Sequence, residues 1–449
     1  MSSSVGSVRT RLTAMPSWVC WLLITVLFAV LASIVTARYV YVHPALSPID
    51  EYNYVDAVDK ASRGVLAREG QTVDGLAREA ASCRGFGLEQ ESVTYSGTCG
   101  VDEPLDVYPW NGHSTAGVHS PVYYFTTAWM AKAIMAVLPG LSLITAARLT
   151  GALWLAVGML VLAYLLRRVG EASWLMVGAL PLLIAAMPGF RVTNSYISPD
   201  APNLLCGSLV FLAALLYAKR EWALWPFVVV SMVVTLVKFQ NCFAVVAAVI
   251  FLLWYRMRPG EPDKGASGSE QRLRLPFVLV PVAAALAVGL GWMWLKEQLR
   301  VPSQQLTGDP AGQVDLARSL FYADDSLLGL FTSNWPAATQ ASVFPSLALW
   351  GAIAALVAVA WLLPGVEPLR RRFAQAGAVS LLGIGPAVNV AFAAVFGSAV
   401  AMQPRYAMVL IPMLAIPAAW ALRSRGVQIA VATLAVLAYV FGAWTLHVN

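Results

Sequence analysis

Apolar positions along this chain run in long unbroken blocks rather than in alternation. Blocks of roughly 17–25 residues match the thickness of a bilayer core when helical. They fall at 17–37, 145–166, 172–189, 201–218, 222–237, 240–255, 276–295, 341–363, 375–396, 406–422 and 427–446. The pattern predicts an all-α polytopic membrane protein with about eleven transmembrane helices. Residues 222–255 form one apolar stretch broken by Lys238-Phe239-Gln240-Asn241, and the lysine divides it into two short spans. The first block is too long for a signal-peptide core and lacks a small-residue cleavage site, so it reads as a retained helix.

Composition agrees. Of 449 residues, 59% are hydrophobic and 12% charged, with a mean hydropathy of +0.67. Soluble domains carry about 25% charged residues. The net charge of +6 does not argue for nucleic acid, because the basic residues are spread over many short loops.

Orientation follows from those loops. With Arg9 and Arg11 in the cytoplasm, the even-numbered spans end at Arg167-Arg168, Lys219-Arg220, Arg256/Arg258, Arg370-Arg371-Arg372 and Arg423/Arg425. All of these clusters then fall inside, as the positive-inside rule requires. The expected location is the cytoplasmic membrane, with the N-terminus inside and the long segments outside. The whole chain, 1–449, reads as one transmembrane domain. It carries a large outer loop at 38–144, a flexible cytoplasmic loop at 256–275 and a second outer loop at 297–340.

The first outer loop holds Asp50-Glu51, a charged and helical stretch from Tyr54 to Glu79, and Cys83 and Cys99. These are the only cysteines outside the apolar blocks, and an oxidising compartment permits a disulfide between them. Closing such a loop contributes about 3 kcal/mol on chain-entropy grounds. Residues from His119 to Leu138 are apolar but carry Lys132; they read as a juxtamembrane helix, since another full span would break the basic-cluster pattern.

The chemistry lies in short motifs at expected outer ends of spans. Asp50 and Glu51 follow the first span, and Asp200 in Ser198-Pro199-Asp200 opens the fourth. Lys238 follows the fifth, and Arg405-Tyr406 precedes a late span. Acidic groups at a membrane boundary are costly unless they act. Each residue also has a structural reading. Asp50 and Asp200 suit helix N-caps; Lys238 could snorkel to the interface; Arg405 could pair with an outer-loop carboxylate.

This layout resembles the GT-C superfamily of polyprenyl-phosphate-sugar-dependent membrane glycosyltransferases. The matching residues are Ile49-Asp50-Glu51, His119-Ser120-Pro121, Ser198-Pro199-Asp200, Lys238 and Pro404-Arg405-Tyr406. Within it the chain looks most like a little-studied actinobacterial-type group with a Pro-Asp-Glu-like first-loop motif. Ser120 stands where the pattern usually has proline, and Pro404 where it has glycine.

The resemblance implies transfer of a sugar from a polyprenyl-phosphate donor to an acceptor hydroxyl on a glycan, lipid or protein. It implies Asp50, Asp200 and Glu51 as catalytic residues. Lys238, Arg405, His119 and Tyr406 would then hold the donor phosphate and sugar. A carboxylate base suits deprotonation of an attacking hydroxyl, and fixed cations suit a phosphate leaving group. Some relatives of this layout use a divalent ion between the acidic motifs and others use none; no dense ligand cluster is visible here, so no metal is assigned. The rival classes are a transporter or flippase of a lipid-linked sugar and a non-catalytic envelope assembly protein. A transporter usually places ionisable groups at mid-membrane between repeats, whereas here they gather at one face.

Overall fold

The computed structural model describes residues 16–47, 50–87, 98–257, 275–302, 343–396 and 404–444. Side chains at 343–349, 389, 391–396, 404 and 444 are not described. The basic N-terminal segment, Pro48-Ile49, most of the expected cytoplasmic loop and most of the second outer loop lie outside the described residues.

The described residues are mostly helical, with no strand beyond two isolated bridges, Leu46 to Phe86 and Thr72 to His113. The helices are α1 (Ser17–Val42), α2 (Glu51–Ser62), α3 (Gly75–Arg84), α4 (Val122–Val137), α5 (Leu143–Arg168), α6 (Trp174–Ala185), α7 (Pro188–Thr193), α8 (Asn203–Ala218) and α9 (Leu224–Val237). They continue as α10 (Cys242–Met257), α11 (Leu275–Leu299), α12 (Val343–Val357), α13 (Pro368–Phe396), α14 (Pro412–Ala421) and α15 (Arg425–Trp444). A wide helical turn over Ala358–Leu362 follows α12.

Most apolar blocks fall on one helix, but 172–189 is divided between α6 and α7, and 406–422 between the 404–410 turn and α14. Five helical segments are long and apolar enough to cross a membrane: Ser17–Val42, Leu143–Arg168, Phe239–Met257, Leu275–Leu299 and Arg425–Ala443. Shorter apolar helices of 10–17 residues accompany them. The outside of α1 shows why the chain needs lipid. Ile24, Phe28, Ala32, Val35 and Tyr39 form a buried stripe, while Leu22, Leu23, Val26, Val30 and Ile34 stay exposed. A helix apolar all round is stable only with apolar surroundings on both sides.

The helices form a chain of neighbours. α1 packs on α5, α5 on α8, α8 on α9 and α10, and α9 on α11, while α15 lies on α6. Most of the apolar interior belongs to one cluster among the long helices. A second cluster gathers α2, α3, α4, the start of α5 and Ile197.

The expected helical stretch from Tyr54 to Glu79 is corrected to two helices. α2 ends at Ser62 and α3 starts at Gly75; Gly64 and Gly70, at φ +76° and +78°, turn the chain between them. The expected break at Lys238 is present: α9 ends at Val237, Lys238 is extended and α10 begins at Cys242. Cys83 and Cys99 are joined in a disulfide.

Two close approaches fix the loops that carry the motif residues. A side chain at Gly151 of α5 would collide with the Asn194 carbonyl, and one at Gly207 of α8 with the Val409 carbonyl. Glycine lets the 194–200 loop lie against α5 and the 404–410 turn against α8. Gly207→Val should displace Val409 and, through it, Arg405, at a cost of about 1–3 kcal/mol. An unchanged melting temperature of the purified variant would show that this contact does not hold the turn.

Candidate active site

The site begins with a buried ion pair. Arg148 lies within the apolar run of α5 and is 1% exposed, as Glu51 is 0% exposed. Arg148 Nε and Nη2 each donate to a Glu51 oxygen at 2.8 Å. The guanidinium also donates to the carbonyls of His43 (2.8 Å) and Ala45 (2.6 Å) as the chain leaves α1. Glu51 accepts further from Ser47 N (2.7 Å) and Ile197 N (3.0 Å). Both carboxylate oxygens are therefore filled by two donors each.

This placement makes Glu51 the structural partner of Arg148. Its four hydrogen bonds leave nothing directed at a substrate. Its neighbour Asp50 points the other way. Asp50 occupies the N-cap position of α2 at φ 60°, and its side chain makes no capping bond. A non-glycine residue in this left-handed region costs on the order of 1–3 kcal/mol. The turn sends the carboxylate, 31% exposed, towards Arg405 Nη2 at 3.4 Å and the Tyr54 hydroxyl at 3.5 Å.

Asp200 is buried beside it. Lys238 Nζ forms an ion pair with Asp200 Oδ1, Asn203 Nδ2 donates to the same oxygen at 3.0 Å, and Ser198 Oγ donates to Oδ2 at 3.3 Å. Arg405 Nε lies 3.3 Å from Oδ2 without hydrogen-bond alignment, so that contact is ionic. Burial alone would raise this carboxyl, but Lys238 and Arg405 outweigh it and hold it below the usual carboxylate range. The N-cap reading of Asp200 does not describe its side chain, since α8 starts at Asn203 and Pro202 holds the cap position.

Lys238 is 2% exposed and Arg405 12%. Burial pushes the Lys238 ammonium down to about 8, against the pull of Asp200. Tyr406 serves both cations through its ring. Lys238 Nζ lies 4.8 Å and the Arg405 guanidinium carbon 5.8 Å from its centroid, within cation–π range.

His119 completes the cluster from the long segment between α1 and α4. Its Nε2 is 3.5 Å from the Tyr54 hydroxyl, so Tyr54 links it to Asp50. Burial, reinforced by the Lys238 charge, pushes the imidazole down to about 3, which makes it neutral near pH 7. Ser120, the departure from the usual proline, has a structural use. Its hydroxyl donates to the Leu236 carbonyl, just before the chain breaks at Lys238.

The structure thus brings together Asp50, Asp200, Lys238, Arg405, His119 and Tyr406, although they span 357 positions of sequence from first to last. Tyr54 and Asn203 join them unforeseen. Tyr54 lies four residues after Asp50, one helical turn on, and that spacing was a usable signal. Among the described residues no group of three or more histidine, cysteine or acidic side chains is placed to hold a metal ion.

Fold and site together define a multi-pass helical membrane protein with a charged cluster built from the ends of its helices. No family model matches the chain, and no curated protein matches it in sequence. Among solved structures, the chain is similar to the crystal structure of ArnT from Cupriavidus metallidurans bound to undecaprenyl phosphate. The TM-score is 0.51 at 17% identity, covering 93% of this chain and 63% of that one. The two proteins share a fold, and this chain spans under two thirds of ArnT's length.

The ion pair under Asp50 can be tested. Removing one partner of a buried pair costs about 3–5 kcal/mol, because the other charge stays behind. Arg148→Met should therefore lower the melting temperature in detergent sharply, and Glu51→Gln should act mainly on stability. An Arg148→Met protein as stable as the wild type would contradict the assignment.

Proposed function

We propose that this protein is a glycosyltransferase that moves a sugar from a polyprenyl-phosphate donor to an acceptor hydroxyl at the outer face of the cytoplasmic membrane. The observation that carries the reading is the partly exposed Asp50 carboxylate set against Arg405, beside a buried Asp200–Lys238 pair. The GT-C resemblance of the motifs supports it, and so does the fold shared with a protein crystallised with undecaprenyl phosphate. The assignment to the actinobacterial-type group rests on the motifs alone.

Asp50 accepts the proton of the acceptor hydroxyl as that oxygen attacks the anomeric carbon. The bond from that carbon to the phosphate oxygen breaks, and its electron pair leaves with the polyprenyl phosphate. Attack opposite the leaving group inverts the anomeric centre. Arg405 faces the phosphate, whose charge grows as it departs, and a guanidinium can grip two of its oxygens. Asp200 and Lys238 are too buried to meet substrate directly; they fix Arg405 and Tyr406. His119 and Tyr54 orient the Asp50 carboxylate.

Transfer from a panel of radiolabelled polyprenyl-phosphate sugars tests the reading. Asp50→Asn is nearly isosteric and should keep donor binding while losing about 10²–10⁴-fold in turnover. Arg405→Ala should weaken donor binding as well as rate, since the phosphate is charged in both ground and transition states. A fully active Asp50→Asn protein would return Asp50 to a structural role and favour transport or assembly.

The orientation has its own test. Cys83 and Cys99 should react with an impermeant thiol reagent on intact cells only after reduction. Thiols that stay unreactive from outside after reduction would invert the topology.

A further inference from the structure

Among the described residues, the cluster is one cation short once a donor binds. Asp50 and Asp200 face Lys238 and Arg405, so two negative charges meet two positive ones. A polyprenyl-phosphate sugar is a phosphodiester and brings one further negative charge. When the glycosidic bond breaks, the leaving phosphate gains a second charge while Asp50 is neutralised by the hydroxyl proton. The uncompensated charge persists through the whole step, in a region where most side chains are buried.

The structure places another cation next to this region. Lys296, in the last turn of α11, is paired with Glu69 of the first outer loop at 2.8 Å. α11 touches the turn at Ala116–Val118, which leads directly into His119. Lys296 lies close enough for its charge to add to the depression of the His119 imidazole. A lysine at a helix C-terminus is favourable by itself, but that does not account for its carboxylate partner.

The partner is held in an unusual way. The Glu69 backbone is fixed from two sides: its amide lies against Gly117, where no side chain would fit, and its carbonyl accepts from Val301 N at 2.9 Å. The ion pair itself is less buried than the Asp200–Lys238 pair. Lys296 is 15% and Glu69 18% exposed, against 2% and 1%. The two side chains can part while the loop stays in place, and water can take over the Glu69 carboxylate.

We infer that Lys296 is a phosphate-binding cation held by Glu69 in the empty site, and that it passes from Glu69 to the lipid phosphate when the donor binds; this rests on the lipid-phosphate reading above. Glu69 acts as the competing anion. The pair sets how strongly the site favours an anionic lipid over a neutral one.

The experiment measures binding of polyprenyl phosphate and of neutral polyprenol of the same chain length, in detergent, without any sugar transfer. Lys296→Met should weaken polyprenyl-phosphate binding by about tenfold, the scale of one charged contact, and leave polyprenol binding unchanged. Lys296→Arg should stay near wild type. Glu69→Gln should tighten polyprenyl-phosphate binding by about threefold, because a partly exposed competing ion pair is removed. Opposite signs for the Glu69 and Lys296 variants separate ligand binding from a structural tie. Equal weakening in both, with a fall in melting temperature, overturns the inference, and so does unchanged affinity in Lys296→Met. A wild-type protein that binds polyprenol as tightly as polyprenyl phosphate overturns the lipid-phosphate reading itself.

Discussion

The Glu51–Arg148 ion pair sits where solvent cannot reach it, and the geometry of the site descends from it. A charge pair out of water is tolerable only when hydrogen bonds saturate both partners. That demand recruits four pieces of chain. The carbonyls after α1, the Ser47 amide, the Ile197 amide and α5 all close on the pair. The start of α2 and the loop leading to Asp200 are thereby fixed to one point. Because Glu51 must face inward, Asp50 is left facing outward, and its left-handed backbone completes the turn.

A second constraint acts from the membrane side. Lys238 interrupts what would otherwise be a continuous apolar helix, and its charge is balanced by Asp200. The broken helix leaves a carbonyl at Leu236, which Ser120 satisfies beside His119. Asn203 ties the same region to the Arg405 turn through its bond to the Arg405 carbonyl, 3.2 Å. Arg405 then contacts both acids, one buried and one open. The contact with buried Asp200 gives the cation a fixed base, and the contact with Asp50 leaves it beside a partly exposed carboxylate. Preorganised charges of this kind need no reorganisation when new charge develops.

Much of this was legible in the sequence. Apolar blocks long enough for a bilayer predicted the helices, and Lys238 marked its own break because a lone cation inside an apolar run has few other uses. The motif residues were legible as polar and charged groups at helix ends. What the pattern did not show was the different surroundings of the two adjacent acids. Asp50 and Glu51 are equivalent in a pattern, and only the partner of Glu51 separates them. Arg148 is that partner, a solitary charge in the run 145–166, so its signal was present; its target, 97 positions away, was not readable from spacing. The stretch from Tyr54 to Glu79 misled for a different reason. Its charges suit a solvated helix, but Gly64 and Gly70 provide turns that tertiary contacts use. Tyr54 was visible as one turn beyond Asp50, but its link to His119 depends on a loop closing over 65 residues.

The outward Asp50 carboxylate and its Arg405 partner are proposed as the place where a lipid phosphate is handled. A structure of the protein with bound polyprenyl phosphate tests this most directly. The account predicts the phosphate within hydrogen-bonding distance of Arg405, about 3 Å, with the Asp50 carboxylate beside it and the Glu51–Arg148 pair intact beneath. A phosphate bound at the opposite end of the helices, or an Arg148 turned away from Glu51 to hold it, would contradict the account.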